Sequence, residues 1–314
     1  MVNGYQHILE YLYDKYYEYF SEHSDVTSSH WRTIGRQRVL KKNNEYLIDG
    51  YGFGSYKPRN LINQFMSLPK RALLSRLLRK YHCPKYLVNA GKIIVARSGY
   101  VFSFDSVKQI LSLNTILETL DNGDNLMGQG INSVCVIGDG YAFFSSLIKL
   151  VDPGIRVISV NLGRTLFFDV LFSGRCLPEM LPILLKTEEG KNVRLSTSQL
   201  VFIEAEKFNL LENLEVDLFI NIASMQEMNP EVIDEYFKYM RSSQKSPCYF
   251  YCCNRLRKEL PDGTLTEFMK YPWENSDLVL MDELCPWYQK YPSSRPPFWR
   301  LFDGPIQHRF IRIK

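Results

Sequence analysis

The sequence predicts an α/β fold: a doubly wound parallel sheet with helices on both faces, preceded by a mainly helical region. Three observations carry this. From Ser133 onward, apolar runs of strand length alternate with longer stretches of helical period. The first of those runs, SVCVIG, passes through a glycine turn into the helix-like YAFFSSLIKLV. The first 125 residues or so lack that alternation and carry aromatic and basic helical stretches instead.

Taken in order, Tyr5 to Phe20 reads as an aromatic helix, and IDGYGFGSYKPRN as a Gly/Tyr-rich turn segment. In PKRALLSRLLRKYHCPKY, Leu73, Leu74, Leu77 and Leu78 recur at helical spacing. GKIIVARSGYVFSFD alternates like a hairpin, and SVKQILSLNTILETLDNG reads as a helix closed by Asn122 and Gly123. After SVCVIG and its helix, RVISVN, LVFIEA, VDLFINIA and PCYFYCCN are the second to fifth strands, with PEVIDEYFKYMRSS a helix before the last. The interval from Leu162 to Ser198 is long for one crossover and is expected to hold two helices, around TLFFDVLF and PEMLPILLK. The last 45 residues, with YPW, CPWYQKYP and RPPFW, are expected to form ordered loops over one end of the sheet. The expected division is a substrate or cap region over 1–125 and a Rossmann-like domain over 126–314.

Composition narrows the function classes. A chain of 314 residues with 45% hydrophobic and 23% charged positions can bury a large core. No run approaches the roughly 20 apolar residues of a membrane span. MVNGYQHILEYLYDKYYEYF carries acids where a secretion signal would be apolar, so a soluble, unprocessed, cytoplasmic protein is expected. The seven cysteines form no CxxC pair and the five histidines are dispersed, so no metal is expected. Net charge is +4, yet no acid lies between Asp49 and Asp105, where Lys57, Arg59, Lys70, Arg71, Arg76, Arg79, Lys80, Lys85, Lys92 and Arg97 fall. That stretch reads either as a solvated helix face or as an electropositive rim for an anionic sugar nucleotide or glycan. No nucleic-acid reading motif accompanies it, so no nucleic-acid partner is expected. A homo-oligomer is compatible with the sequence.

The stretch VCVIGDGYAFFSS narrows the cofactor. A dinucleotide turn asks for GxGxxG, and Phe143 at the third position is too large for close helix-on-strand packing. A phosphate-binding P-loop needs a GK[ST] ending that does not follow Gly140. What remains is hhGxGxA, in which Gly138 and Gly140 let the backbone approach a ligand. This shape suits the S-adenosylmethionine fold, whose ligand carries no phosphate. In that class a polar group ending the second strand meets the ribose, here Asn161, and one after the third strand meets the adenine, here Glu206, with Glu204 two residues earlier. Asn221 ends the fourth strand above the same edge. The structural readings are a helix cap for Asn161, surface charges for Glu204 and Glu206, and a turn residue for Asn221.

FINIASMQEMNPEVIDEYFKYMR, followed by FYCCNRLRKELPDGTLTEFMKYPW, resembles the sugar O-methyltransferases of surface-polysaccharide clusters. These are a branch of the class I S-adenosylmethionine-dependent methyltransferases. NxxSMQEM at 221–228, EYFKYMR at 235–241, and YCCNR with DGT and YPW behind it carry the resemblance, which covers about residues 85–314. It implies a Rossmann-like class I methyltransferase sheet, S-adenosyl-L-methionine as cofactor, and a hydroxyl on a nucleotide-linked sugar or surface glycan as acceptor. The cofactor set it implies is Gly138, Asp139, Gly140, Tyr141, Asn161, Leu162, Glu206 and Asn221. The chain departs from the family pattern at Val136, where an acid is usual, at Ala142, where a third glycine is usual, and at Asn161, where Asp is usual.

Methyl transfer to a hydroxyl needs in-line positioning and removal of one proton. Glu227 in SMQEM is the first candidate base, with a helix-capping role near Asn229 and Pro230 as its structural reading. His308 in GPIQHRFIRIK is the alternative base, since histidine titrates near neutrality. Gln226 is expected to orient the sugar and Arg255 to pair with an acceptor phosphate or carboxylate. Two other classes stay open: a catalytically inactive relative serving as a binding or assembly protein in glycan synthesis, and a nucleotide-dependent oxidoreductase, which Phe143 opposes.

Overall fold

Apolar runs pair as parallel strands when both of their faces can be covered, and helices here supply both covers. The computed structural model describes residues 3–16, 38–42, 45–49, 59–120, 125–186, 199–242, 247–293 and 295–314. Helix α1 (Asn3–Tyr16) is followed by a hairpin of β1 (Arg38–Lys42) and β2 (Glu45–Asp49), then α2 (Leu61–Lys80), α3 (Lys85–Ser98) and α4 (Phe104–Thr119). The alternating part contains β3 (Ser133–Ile137), α5 (Phe143–Val151), β4 (Arg156–Asn161), α6 (Gly163–Cys176), β5 (Ile183–Leu185), β6 (Leu200–Glu204) and β7 (Leu218–Ile222). It continues with α7 (Pro230–Ser242), β8 (Cys248–Arg255), β9 (Arg257–Glu259), β10 (Leu265–Glu267), β11 (Leu278–Leu284), β12 (Lys290–Pro292), β13 (Trp299–Leu301) and β14 (Ile306–Ile313).

The main sheet has eight strands in the order β11-β14-β8-β7-β3-β4-β6-β5. The ladders from β5 to β8 are parallel, and β14 runs antiparallel to both β8 and β11. Helices cover both faces. This is a Rossmann-like, doubly wound α/β architecture with one antiparallel strand inserted near an edge. All residues of β3 and β6 are buried, as two-sided cover requires. Leu87, Ile94, Ile110, Phe143, Phe144, Phe167 and Phe168 pack with Val134, Val136, Tyr251 and Phe310 on one face. Ile233, Tyr236, Phe237 and Met240 of α7 pack with Cys135, Phe219 and Phe250 on the other. Cys252 and Cys253 point to opposite faces, as strand alternation dictates, and all seven cysteines are free thiols. The helices α3 and α4 therefore share one core with the sheet.

Three expectations are corrected. GKIIVARS belongs to α3 and not to a hairpin: Leu87, Ala90, Gly91, Ile94, Val95 and Ser98 are its buried positions, a spacing of three and four that overrides the short alternation. Around PEMLPILLK the chain forms the edge strand β5 and not a second helix, since Pro182 would remove a donor inside a helix. The C-terminal segment supplies more than loops, because IQHRFIRI becomes β14, inserted between β8 and β11. Residues 17–20 of the aromatic helix, residues 50–58 of the turn segment, and Asn122 and Gly123 lie outside the described residues. No described helix is long and apolar enough to cross a membrane.

Helix α1 docks along α6 through two glycines. Tyr5 covers Gly174 and Tyr16 covers Gly163, where an added Cβ would lie 2.1 Å from the Tyr16 ring and hydroxyl. Gly163→Ala is therefore expected to cost about 1–3 kcal/mol by overpacking. Urea denaturation should read this loss, with a smaller one for Gly174→Ala, where the nearest ring atom is 3.1 Å away.

Candidate functional site

Chain order reverses beside β3: β4 and β6 follow on one side, β7 and β8 on the other. Open α/β sheets bind ligands at the carboxyl ends of strands at such a switch point. Here the β3–β7 ladder stops at the Val136–Ile220 pair. Just beyond it, Asn221 Nδ2 donates to the Ile137 carbonyl at 2.8 Å, so a side chain replaces the backbone pairing that ends. Asn221 Oδ1 accepts from the Met225 N–H at 3.0 Å and from Asn254 Nδ2 at 2.8 Å. Asn254 Oδ1 takes the Gln226 N–H at 3.1 Å, and Gln226 Oε1 takes the Arg255 N–H at 2.8 Å. Asn221 and Asn254 are fully buried. Three amides thus clasp the SMQEM turn, a short 3₁₀ segment at Met225–Glu227, onto the ends of β3, β7 and β8.

The glycine turn faces this clasp. Gly138 has φ +72° and a Cβ there would lie 1.9 Å from Ser224 Oγ, so only glycine fits. Gly140 has φ +82°, and a Cβ built on it meets nothing within 4 Å, which leaves its surface open for a ligand. Ala142 (φ 49°) and Ala223 (φ 60°) hold left-handed backbone, one in each turn bordering the crevice. Such conformations cost about 1–2 kcal/mol for a residue with a Cβ, and they concentrate at functional turns.

The expected site residues fall into distinct settings. Asp139 is turned under the loop, where its carboxylate accepts the Phe144 and Ser145 N–H groups at 3.0 and 2.7 Å and caps α5. The Tyr141 ring is buried among Tyr100, Phe168 and Phe172. Asn161 donates through Nδ2 to Asp169 at 2.9 Å and accepts the Leu162 N–H at 3.0 Å. Leu162 precedes α6 and is half-buried, and Glu206 is exposed after β6. Glu227 is half-buried and pairs with Lys258 at 2.8 Å. Arg255 is half-buried, 3.7 Å from the exposed Asp303. His308 lies three strands from β3, 1% exposed, with Nδ1 3.2 Å from the Tyr251 hydroxyl and Nε2 3.4 Å from Glu283. Burial lowers its pKa against the pull of Glu283. Gly138, Gly140, Asn221, Gln226, Glu227 and Arg255 therefore share the switch-point region, Asn161, Leu162 and Glu206 border it on β4 and β6, and His308 is a core side chain.

Asn254 is the link on which the clasp turns, and its signal in the sequence is its place in YCCNR, as the polar residue closing the apolar run CYFYCC. Asp169 receives Asn161 and, at 3.4 Å, Ser159. Burial and the charge of Asp139 hold its carboxyl well above the usual carboxylate range, despite those hydrogen bonds and that of the Ala142 N–H. Glu204, fully buried, meets Lys15 at 2.6 Å, the Tyr16 hydroxyl, and Lys207 at 3.2 Å. Burial alone would raise its pKa, and these partners hold it below the usual value. Among the described residues no group of three His, Cys, Asp or Glu side chains could hold a metal ion.

No family model and no curated protein matches the sequence. Solved structures similar to the chain include the O-methyltransferase from Bacillus cereus in complex with SAH, 13% identical, covering 81% of this chain and 97% of that one, with TM-score 0.40. Another is the O-methyltransferase TomG from Streptomyces achromogenes, involved in tomaymycin synthesis and solved with SAM. It is 11% identical, covers 74% of this chain and 90% of that one, and has TM-score 0.36. Likeness of this size assigns no residue role or substrate, and the fold rests on the chain's own strand order.

An acid whose folded pKa lies above its unfolded value weakens the fold as pH rises from about 4, because the native chain retains a proton the unfolded chain has released. Asp169→Asn keeps an acceptor for Asn161 and removes that titration. Urea midpoints of the wild type should therefore fall relative to the variant's as pH rises from about 4 to 7. Parallel profiles would mean that Asp169 is ionised in the fold.

Proposed function

We propose that the chain is an S-adenosylmethionine-dependent O-methyltransferase acting on a sugar hydroxyl of a nucleotide-linked sugar or surface glycan. The observation that carries this is the switch-point crevice, in which the open face of Gly140 and a carboxylate, Glu227, lie on facing turns. The bare glycine turn fits a cofactor without phosphate groups, since no P-loop lysine follows it. Gly138, Asp139, Gly140 and Tyr141 would hold the cofactor through backbone, Asp139 by fixing α5 and Tyr141 by anchoring the turn in the core. Asn161, Leu162 and Asn221 would border the ribose and methionine parts and Glu206 the adenine. One N–H of Asn161 and one lone pair of its oxygen remain beyond the contacts with Asp169 and Leu162. When bound, the cofactor supplies an activated methyl group on a sulfonium.

The chain's own residues then align an acceptor oxygen and take its proton. Glu227 is the proposed base, held in orientation by Lys258. Gln226, locked to Arg255 N–H and Asn254, fixes the turn that carries it, and Arg255 offers a cation to an acidic acceptor. His308 is the alternative base, and its 1% exposure would require the core around Tyr251 and Trp287 to open. Residues 1–125 are proposed as the substrate or cap region and 126–314 as the methyltransferase domain, in a cytoplasmic setting.

A second reading, a catalytically inactive fold used for binding or assembly in glycan synthesis, is favoured by one observation. Two buried acids beside the crevice are engaged internally: Glu204, ending β6, by Lys15, Tyr16 and Lys207, and Asp169, in α6, with Asn161. Calorimetry with S-adenosylhomocysteine separates the readings: saturable binding supports the enzyme, and its absence at millimolar ligand supports the inactive form. For the enzyme, Glu227→Gln should lower turnover by about two to four orders of magnitude with S-adenosylhomocysteine affinity unchanged. Full turnover in that variant would transfer the role to His308.

A further inference from the structure

Apart from the crevice, the fold encloses a cavity of about 400 Å³, within the roughly 300–1,000 Å³ range of small-molecule sites. Segments remote in sequence wall it. Helix α2 contributes Lys70, the start of α4 contributes Phe104, Asp105 and Lys108, and the β12–β13 region contributes Tyr291 and Phe302.

Two chemistries meet there. Phe104 and Phe302 stack at 6.3 Å with an interplanar angle of 26°, and Tyr291 lies 5.1 Å from Phe302, giving flat apolar walls. Against them stands Lys108, 8% exposed, with Nζ 2.6 Å from Asp105 and 2.8 Å from the Tyr288 hydroxyl. A buried ion pair is weak support for stability, because desolvation offsets its attraction. Retained in a cavity wall, it provides a fixed donor and acceptor for a polar ligand. With Lys70 added, two lysines and one aspartate line the cavity. A pyranose matches this division: its C–H face lies on aromatic rings, and its hydroxyls reach charged groups.

One chain segment links the cavity wall to the candidate cofactor turn. The Tyr100 ring lies 6.2 Å from the Tyr141 ring of the glycine turn, and the next residues, 101–103, line the cavity. We propose that this cavity is the acceptor site, and that it takes a sugar ring bearing an anionic group, phosphate or carboxylate, held by Lys70 and Lys108 over the Phe302 and Tyr291 rings. The word acceptor rests on the methyltransferase reading, whereas sugar binding does not.

Calorimetry of the full chain with a panel of hexose 1-phosphates and hexuronates tests this, with methyl glucoside as the neutral control and S-adenosylhomocysteine titrated in parallel. Saturable binding of an anionic sugar is expected, with weaker binding of methyl glucoside. Lys70→Ala and Tyr291→Ala, both on the cavity rim, should each weaken binding about tenfold or more, roughly 1.4 kcal/mol, with S-adenosylhomocysteine affinity unchanged. The proposal is overturned if the wild type binds S-adenosylhomocysteine but no member of the panel, or if both variants retain wild-type affinity for the sugar. If sugars bind and the variants lose them while S-adenosylhomocysteine does not bind, the cavity stands as a sugar site and the methyltransferase reading falls.

Discussion

The hydrogen bond from Asn221 to the Ile137 carbonyl governs the arrangement of the whole crevice. A sheet opens into a binding cleft only where two neighbouring strands stop pairing, and stopping leaves buried backbone groups without partners. At the end of β3 that deficit is met by one amide side chain, whose remaining atoms reach Met225 and Asn254. The same group that permits β3 and β7 to separate therefore positions the turn with the candidate base. Without it, an orphaned carbonyl would lie at the switch point, at a cost of about 1–3 kcal/mol.

Around this centre the carboxylates divide by environment. Asp139 is consumed as a helix cap, burial and the charge of Asp139 raise the pKa of Asp169, and Lys15, Tyr16 and Lys207 lower that of Glu204. The last arrangement ties α1 to the end of β6, so the first helix and the sheet rim are joined by charge as well as by the Tyr16–Gly163 packing. Glu227, paired with Lys258 and partly exposed, is the acid carried by the clasped turn itself.

Much of the sheet was legible because its strands are short apolar runs with both faces buried, from SVCVI to CYFYCC. The misreadings have physical causes. In α3 three successive apolar residues, Ile93 to Val95, imitate a strand, and only the packing of Gly91 against Ile110 resolves the period. Strand β14 was hidden because its neighbours in sequence are proline-rich and its partners lie in β8 and β11. At the site, the glycine turn and NxxSMQEM are contiguous and therefore readable. The Asn221–Asn254 link, the Asp139–Asp169 pair and the wall joining Lys70 to Phe302 connect residues distant along the chain, and no local pattern encodes such pairs.

The clasp at the switch point is made of amides, and amides do not change charge between acid and alkaline conditions. The groups that do titrate lie under the loop, at the sheet rim, or on the clasped turn itself. The clasp on the SMQEM turn is thus insulated from the protonation of the acids around it. A change in acidity alters what those side chains can do long before it alters where they stand, so a rate measured against pH would report chemistry and not the loss of a scaffold.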